Sequence, residues 1–527
     1  MKRNILFISA FVCALSSFAQ CITTNIPGNY TQSSDIILSG VINVTGTYTL
    51  PAGVTITVPS YSIDNCGSLT INASKIVIQG NIIADYSGYA GGSGGAGATL
   101  VTSITGHENG LTGCVDKDNA GQITVGGGLA GLIGNGTGAG SAGGNGTVGS
   151  GTKQVCANLG DEAGLIGGSG GAGGGGGGSY GGAGTSGNSG GGGSATGSIT
   201  GASYSNAYTP IAGIGGMGGN TGSTYGTSAG TDIDLGSGGA GAGGGGRSFY
   251  VGENGGQGGD GGGMIKLIAT DTLIITGTLS ANGEDGGAGG KGGNGDKTAD
   301  CCSDACNDCA ERTITAGAGA GSGGGAGSGG GIFIQSDYIL TITGTLSVNG
   351  GDGGISGVKG NGASCSYSNI ICGDEDMSTT DGSDGGTGGS GGGGRIKIFT
   401  NNCPSNVITP THTESGGAGA SAGTYQVIVV GCPDFVGVDN YEGTLSAQVY
   451  PNPATNFVNV QIDAFSIGMN DVNVLVYDAT GRVLYQTTSK LEKGQIIQVP
   501  VDQFAAGIYS IVLMNNNANV TYKFVKQ

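Results

Sequence analysis

Tryptophan is absent from the 527 residues, and histidine (2), proline (10) and phenylalanine (11) are scarce. Without tryptophan the commonest platform for stacking a sugar ring is missing, which leaves tyrosines such as Tyr180, Tyr204 and Tyr208 to stand in. Low proline, with glycine not recurring at every third position, excludes a collagen triple helix. The two histidines, His107 and His412, have no GxSxG motif nearby to supply a serine nucleophile. Charged residues are only 10%, too few for the highly charged kind of disordered chain. After the first 20 residues no apolar run approaches the roughly 20 needed to span a bilayer. No GxxxxGK[ST] occurs, and "GAGAGSGGGAG" before Ile332 leads into a strand rather than a helix, so a phosphate cradle fails.

What is abundant is glycine, at 123 residues, with acidic residues in excess. The opening "MKRNILFISAFVCALSSFAQC" has the three parts of a secretory signal: Lys2 and Arg3, an apolar run from Ile5 to Leu15, and Ser17-Phe18-Ala19 as the small-x-small cleavage site. The cut is placed after Ala19, leaving Gln20 first. The competing lipoprotein reading acylates Cys21, but Phe18 and Gln20 suit a lipobox poorly. Removing Lys2 and Arg3 leaves 16 basic residues against 36 acidic, about −20, which opposes nucleic acid and anionic membranes. Cys13 leaves with the signal. Twelve cysteines remain in an oxidising compartment, which favours disulfides. Proximity suggests Cys365 with Cys372, Cys403 with Cys432 and Cys114 with Cys156. Cys301, Cys302, Cys306 and Cys309 are close enough to pair among themselves, and Cys21 and Cys66 complete the set.

The chain divides into a signal (1–19), an N-terminal strand region or cap (20–85), a glycine-rich repeat region (86–432), a linker (433–445) and a terminal module (446–527). A repeat runs through the middle. "GGGMIKLIATDTLIITGTLSANGEDGG" aligns without gaps on "GSGGGIFIQSDYILTITGTLSVNGGDGG" at an offset of 67 residues, matching Ile265 to Ile332, Leu273 to Leu340 and Leu279 to Leu346. A degenerate copy starts at Gly67 and a truncated one, "GGGGRIKIFTNN", at Gly391. Apolar residues alternate within each copy, so each reads as strands with one buried face. One copy has no partner for that face, so the copies must stack. The expected fold is all-β: a parallel β-helix-like solenoid with long glycine-rich loops, followed by a small immunoglobulin-like β-sandwich. A β-sandwich built from the same repeat strands is the weaker alternative. Gly277 and Gly344 are expected at sharp bends that need positive φ.

The glycine blocks admit two readings. "GGSGGAGGGGGGSYGGAGTSGNSGGGGS" has almost nothing to bury, and ordering each residue costs roughly 1–2 kcal/mol of backbone entropy, so a mobile surface loop is the default. The alternative packs extended polyglycine side by side through backbone bonds, with "GLAGLIGNG" and "IAGIGGMGG" anchoring the bundle to the strands. The sequence does not decide between them.

Chemistry-bearing motifs are few. "ADCCSDACNDCAER" places four thiols beside Asp300, Asp304 and Asp308, a zinc-like donor set, but lacks two separated CxxC knuckles, and local disulfides fit an exported chain better. "GGQGGDGGG" and "NGGDGG" are similar to calcium-binding nonapeptides but show no nine-residue period, so calcium at these glycine/Asp loops is the weaker reading. No cofactor, catalytic residue or resident metal is assigned. An outer-face polysaccharide-cleaving site would draw on Lys266, Asp271 and Asp285, yet the next copy offers Phe333, Tyr338 and Asp352.

The last 80 residues alternate cleanly over "VNVQI", "VNVLVYDATGRVLYQTT", "QIIQVPV", "GIYSIVLMN" and "NVTYKFVKQ", a small sandwich. Through "YPNPATNFVNV", "VYDATGRVL", "FAAGIYSIVL" and "YKFVKQ" the module resembles the C-terminal sorting domain of proteins exported by the type IX secretion system of Bacteroidetes. The motif positions are Tyr450, Pro451, Asn452, Pro453, Gly481, Gly507, Tyr509, Lys523 and Lys526. The resemblance implies a delivery tag read by the type IX machinery, and a cargo that passes the periplasm and is released or attached to surface lipopolysaccharide. The expected function is an exported, non-catalytic surface or extracellular protein, adhesin- or coat-like. Extracellular polysaccharide is a further expected partner, while nucleic acid and a transmembrane segment are not expected. A secreted polysaccharide-active β-helix enzyme, lyase or glycosidase, is the alternative. Ice or mineral binding rests on "TITGT" and "IITGT" alone.

Overall fold

The computed structural model describes residues 21–99, 101–103, 122–152, 163–200, 210–297, 312–369, 373–401, 406–430, 446–464, 471–490, 494–515 and 518–527. It divides into two units, Met1–Pro433 and Asp434–Gln527. Both are built from extended chain, and no helix occurs among the described residues.

The first unit is organised by two parallel sheets. One runs Thr23–Ile26, Gly40–Leu50, Ser68–Ile78, Met264–Ile275, Gly331–Ser336, Arg395–Asn401 and Thr424–Val430, with Ile339–Ile342 continuing beside Met264–Ile275. The other runs Ile36–Ile37, Thr55–Thr57, Asn81–Ile83, Thr278–Ser280, Thr345–Ser347 and Thr411–Thr413. The repeat is the register of these sheets. Ile265 sits on Ile332, Leu273 on Leu340 and Leu279 on Leu346, and all six are fully buried in one aliphatic core. Parallel strands must be joined by a crossover, and a parallel sheet is ordinarily buried; here both demands are met by stacking copies.

Gly277 and Gly344 do lie at bends, but neither takes a positive φ. Close approach is the reason: a Cβ on Gly277 would stand 1.8 Å from the Gly80 carbonyl oxygen, and one on Gly344 2.0 Å from that of Gly277. The core also has an end. His412 occupies the position above Leu346 and Tyr425 the one beyond Ile396, and their rings stack at 3.8 Å, closing the aliphatic columns with an aromatic pair. Glu414 Oε2 lies 3.0 Å from His412 Nδ1.

The glycine segments are not mobile loops, and this corrects the default reading. They leave the second sheet and return to the first as extended hairpins packed side by side. The backbone N–H groups of the segment 167–180 show how. Gly168, Gly171, Gly174 and Gly177 donate to Ser194, Gly191, Asn188 and Thr185, whereas Gly170, Gly173, Gly176 and Ser179 donate to Thr147, Gly144, Ser141 and Gly138. The third phase, Ser169, Ala172, Gly175 and Gly178, donates to Arg247, Gly244, Gly323 and Ala326. Partners rotate every three residues, with no bond inside the segment apart from its terminal turn, as the three-residue turn of a polyproline II-type helix requires. Segments 211–225 and 381–394 complete the ring, donating from Gly213 to Gly168 and from Gly389 to Gly175.

Segments enclosed in this way, 167–180, 236–247 and 316–330, contain almost only glycine, alanine and serine, because a side chain would enter a neighbour's backbone. A Cβ on Gly177 would meet the Ser390 oxygen at 2.0 Å, and one on Gly321 the Gly243 oxygen at 1.9 Å. Outer segments keep one free face, and there one residue in three carries a larger side chain. This overturns the anchoring role expected of "GLAGLIGNG" and "IAGIGGMGG": Leu129, Leu132, Ile133, Ile211, Ile214 and Met217 are exposed, pointing away from the bundle.

The hairpins end in two small sheets: one of Val101–Ser103, Gln122–Val125, Gly149–Thr152, Ala163–Ile166 and Arg312–Thr315, the other of Gly197–Thr200, Ser364–Asn369 and Gly373–Thr379. Cys21 is joined to Cys66, fastening the chain before strand Thr23–Ile26 to the chain before strand Ser68–Ile78. That bond uses the sulfur a lipoprotein would acylate. Cys365 is buried with Ile314 and Met377; its suggested partner Cys372, and Cys114, Cys156, Cys301, Cys302, Cys306, Cys309, Cys403 and Cys432, lie outside the described residues, as do Ala19 and Gln20.

The second unit pairs a three-stranded antiparallel sheet (Ser446–Tyr450, Phe457–Ala464, Ile496–Pro500) with a four-stranded one (Val483–Lys490, Asp471–Tyr477, Gly507–Asn515, Ala518–Lys526). Alternate residues Val458, Val460, Val474, Val476, Ile511, Leu513 and Phe524 fill the space between them.

Candidate functional site: a backbone scaffold that displays one side chain in three

The bundle leaves little side-chain chemistry inside and a regular array outside. Along 211–225 the outward phase reads Ile211, Ile214, Met217 and Asn220; along 351–361 it reads Asp352, Ile355, Val358 and Asn361. Three residues at ~3.1 Å rise set such neighbours about 9 Å apart. At the periphery some N–H groups have no neighbouring carbonyl, and acidic or amide side chains accept them instead. Asp260 Oδ1 accepts from Gly91 at 2.8 Å, Asp285 Oδ1 from Asp352 at 2.7 Å and Asp352 Oδ1 from Ala418 at 2.7 Å. Asn145 and Asn294 do the same for Ala130 and Asn361. This pairing of peripheral N–H groups that no neighbouring carbonyl reaches gives Asp and Asn a local use in glycine runs. It also gives a structural use to two aspartates read as calcium candidates, Asp260 and Asp352.

The positions considered for catalysis are dispersed. Lys266 lies over the Phe333 ring at 4.7 Å, and the Asp271 backbone oxygen accepts from Ser336 Oγ at 3.1 Å beside a register shift between Ala269 and Thr272. Asp285 belongs to the bundle rather than the sheet. Tyr180 is fully buried and so offers no sugar platform; Tyr204, Tyr208 and His107 lie outside the described residues.

One cluster escaped the sequence reading. Strand Arg395–Asn401 turns Ile396 and Ile398 into the core and Arg395 and Lys397 outward, yet both cations are buried because the chain around 225–235 crosses that face. Lys397 Nζ donates to the Gly230 carbonyl at 3.0 Å, to the Asp232 carbonyl and to Asp232 Oδ1 at 3.1 Å. Arg395 donates to the Tyr225 and Gly226 carbonyls at 2.8 and 3.2 Å and lies 5.4 Å over the Tyr180 ring, while Tyr180 Oη accepts from the Asp234 N–H at 2.8 Å. Burial pushes the Lys397 ammonium down and the Tyr180 and Tyr225 phenols up. Hydrogen bonds from Thr227, with help from Lys397, hold the Asp232 carboxyl well below the usual range. All three Lys397 donors are satisfied, so the cluster is a clasp that fixes the crossing chain.

In the second unit the motif residues gather at one end. Asn452 clamps the last strand from both sides, donating to the Lys523 carbonyl at 3.2 Å and accepting from the Val525 N–H at 2.9 Å. Ala454 N–H donates to Val525 and Gln527 N–H returns to Ala454. Tyr450 Oη donates to Gln461 at 2.9 Å; Pro451 and Pro453 follow cis peptide bonds. Gly481 takes φ +80° in a turn held by Asp478, which accepts from Thr480 and Arg482. Tyr509 is buried against Phe524 and donates to the Ala505 carbonyl at 2.7 Å, while Gly507 pairs with Lys526. The motif at the start of the module and the closing strand therefore form one surface. The family model of the secretion system C-terminal sorting domain matches residues 448–527.

The chain is a cargo of the type IX secretion system.

The cargo is thereby directed to the cell surface or extracellular space. No helix among its described residues is long and apolar enough to cross a membrane. No curated protein matches it. Among solved structures, dimeric latent PorU from Porphyromonas gingivalis is similar at 20% identity over 19% of this chain and 10% of that one, with a TM-score of 0.14. The cargo thus spans about a tenth of that protein's length, and the likeness carries no weight for the glycine-rich unit.

Proposed function

We propose that the exported cargo is a non-catalytic adhesin- or coat-like protein, in which the parallel sheets form a β-helix-like solenoid and the glycine hairpins are its rigid display surface. The solenoid reading is supported by the pairing of Leu273 with Leu340 inside a shared aliphatic column. The display reading rests on one observation: the bundle satisfies its own backbone through neighbours and leaves one side chain in three facing out. Outward residues can then be exchanged without disturbing the scaffold, as the change from Ile214 to Asn220 along one row illustrates. Surface lipopolysaccharide and extracellular polysaccharide are the partners such a coat would meet.

The test uses the mature full-length chain on a polysaccharide panel, reading retention alongside reducing-sugar and unsaturated-product release. Retention without product supports the proposal. Sustained turnover contradicts it and points to a polysaccharide-active enzyme.

A further inference from the structure

We propose that an uncharged apolar face of the glycine bundle, formed by the adjacent segments 126–135, 138–150 and 211–225, is a contact between two copies of this chain. The three segments are neighbours: Gly146 donates to Gly128, and Thr147 and Ser150 donate to Ile214 and Ile211. Ile133, Val148, Ile211, Ile214 and Met217 stand exposed on them, Ile214 at 72% and Met217 at 76%. Contiguous exposed apolar residues of this kind mark interaction sites.

Charge selects the partner. The protein carries a net −18, yet none of the described residues 122–152, 163–200 and 210–231 is charged. The bundle's carboxylates, among them Glu253, Asp260, Glu284, Asp285 and Asp352, belong to other segments. Two such anions approach with least repulsion through this face. Outward side chains of one row stand about 9 Å apart with only alanine and glycine between them, and a two-fold contact of one such patch with itself would close on a dimer. The outward positions of the face carry no aromatic ring to stack a sugar, the ring of Tyr225 being turned inward against Tyr180, and no cation to attract a lipid phosphate.

The test is sedimentation equilibrium of the mature full-length protein over a range of concentrations. The wild type is expected to dimerise, and Ile214→Asp with Met217→Asp to raise the dimer Kd roughly 100-fold. The variant should fold, because Asn220 and Asp352 already occupy outward positions of this kind, and an unchanged circular dichroism spectrum checks that. Ile355→Asp, on a different segment, should leave the dimer intact. A wild type monomeric at every concentration, or a dimer indifferent to the double variant, overturns the proposal. So does a monomer captured by neutral phosphatidylcholine vesicles through Ile214 and Met217. The result is independent of the adhesion reading, which the polysaccharide panel decides separately.

Discussion

The sheet stack and the glycine bundle are built from the same material, extended chain bonded to extended chain, and solve opposite problems. In the stack, backbone bonds lie within a sheet and alternate side chains fill the interior, so Leu273, Leu340 and Leu346 do the stabilising through burial. In the bundle, bonds radiate in three directions from every enclosed segment and, away from the segment ends, no interior side chain larger than those of alanine and serine is found. A net backbone hydrogen bond is worth ~1 kcal/mol, close to the ~1–2 kcal/mol entropy cost of ordering one residue. An isolated glycine hairpin is therefore marginal, and the stack supplies the missing order. Ala84 donates to Ser280, Ala281 to Ser347 and Val348 to Thr413, so the sheet's own register runs straight into the hairpins.

This contrast predicts a gradient of mutational effects. Gly321→Val should be the most damaging, because the new side chain enters the Gly243 backbone; a loss upward of about 3 kcal/mol is expected in denaturant unfolding. A loss under about 1 kcal/mol would mean the bundle can part at no cost. Leu340→Ala, at a fully buried column position, should lose about 3 kcal/mol by the same measurement. Asp232→Ala leaves the Lys397 ammonium buried without its carboxylate. Because Asp232 is itself 41% exposed, the expected loss is about 2 kcal/mol, below that of a fully buried pair. Its readout is faster proteolysis near 225–235, with Asp232→Asn intermediate. Ile355→Ser should change stability by no more than about 0.5 kcal/mol, since its side chain faces solvent; a larger loss would show that outward rows are structural after all.

The smallest effect lies in the terminal module, where the Asp478 side chain reinforces a turn that backbone bonds also close. Hydrogen bonds, led by that from the Thr480 hydroxyl, lower the Asp478 carboxyl to about 2. A depressed carboxyl contributes fully above the ordinary carboxylate range, and its contribution fades as pH falls through about 2. Thr480→Val should raise that midpoint in an NMR titration, and an unmoved midpoint would show that the hydroxyl does not set it.

The alternation and the 67-residue offset made the stack legible, because a period of two has one structural meaning and the repeat maps directly onto Ile265–Ile332 and Leu279–Leu346. The terminal module was legible through Tyr450–Val460 and the closing strand, which the structure brings together at Asn452. The bundle was not, since a glycine run carries no side-chain pattern and its order comes from partners far along the chain. A trace existed nonetheless: Ile211, Ile214 and Met217 recur every three residues, a period that belongs to neither helix nor strand. The clasp was hidden for another reason. Arg395 and Lys397 alternate as solvent-facing residues do, and only the return of 225–235 buries them.

Native-state amide hydrogen exchange over Gly167–Tyr180 tests the central claim most directly. Every N–H from Gly168 to Tyr180 has a backbone acceptor, so this stretch should be protected to a degree comparable with Ile332 and Ile334 in the sheet. Exchange at the rate of an unfolded chain, while the sheet stays protected, would contradict it.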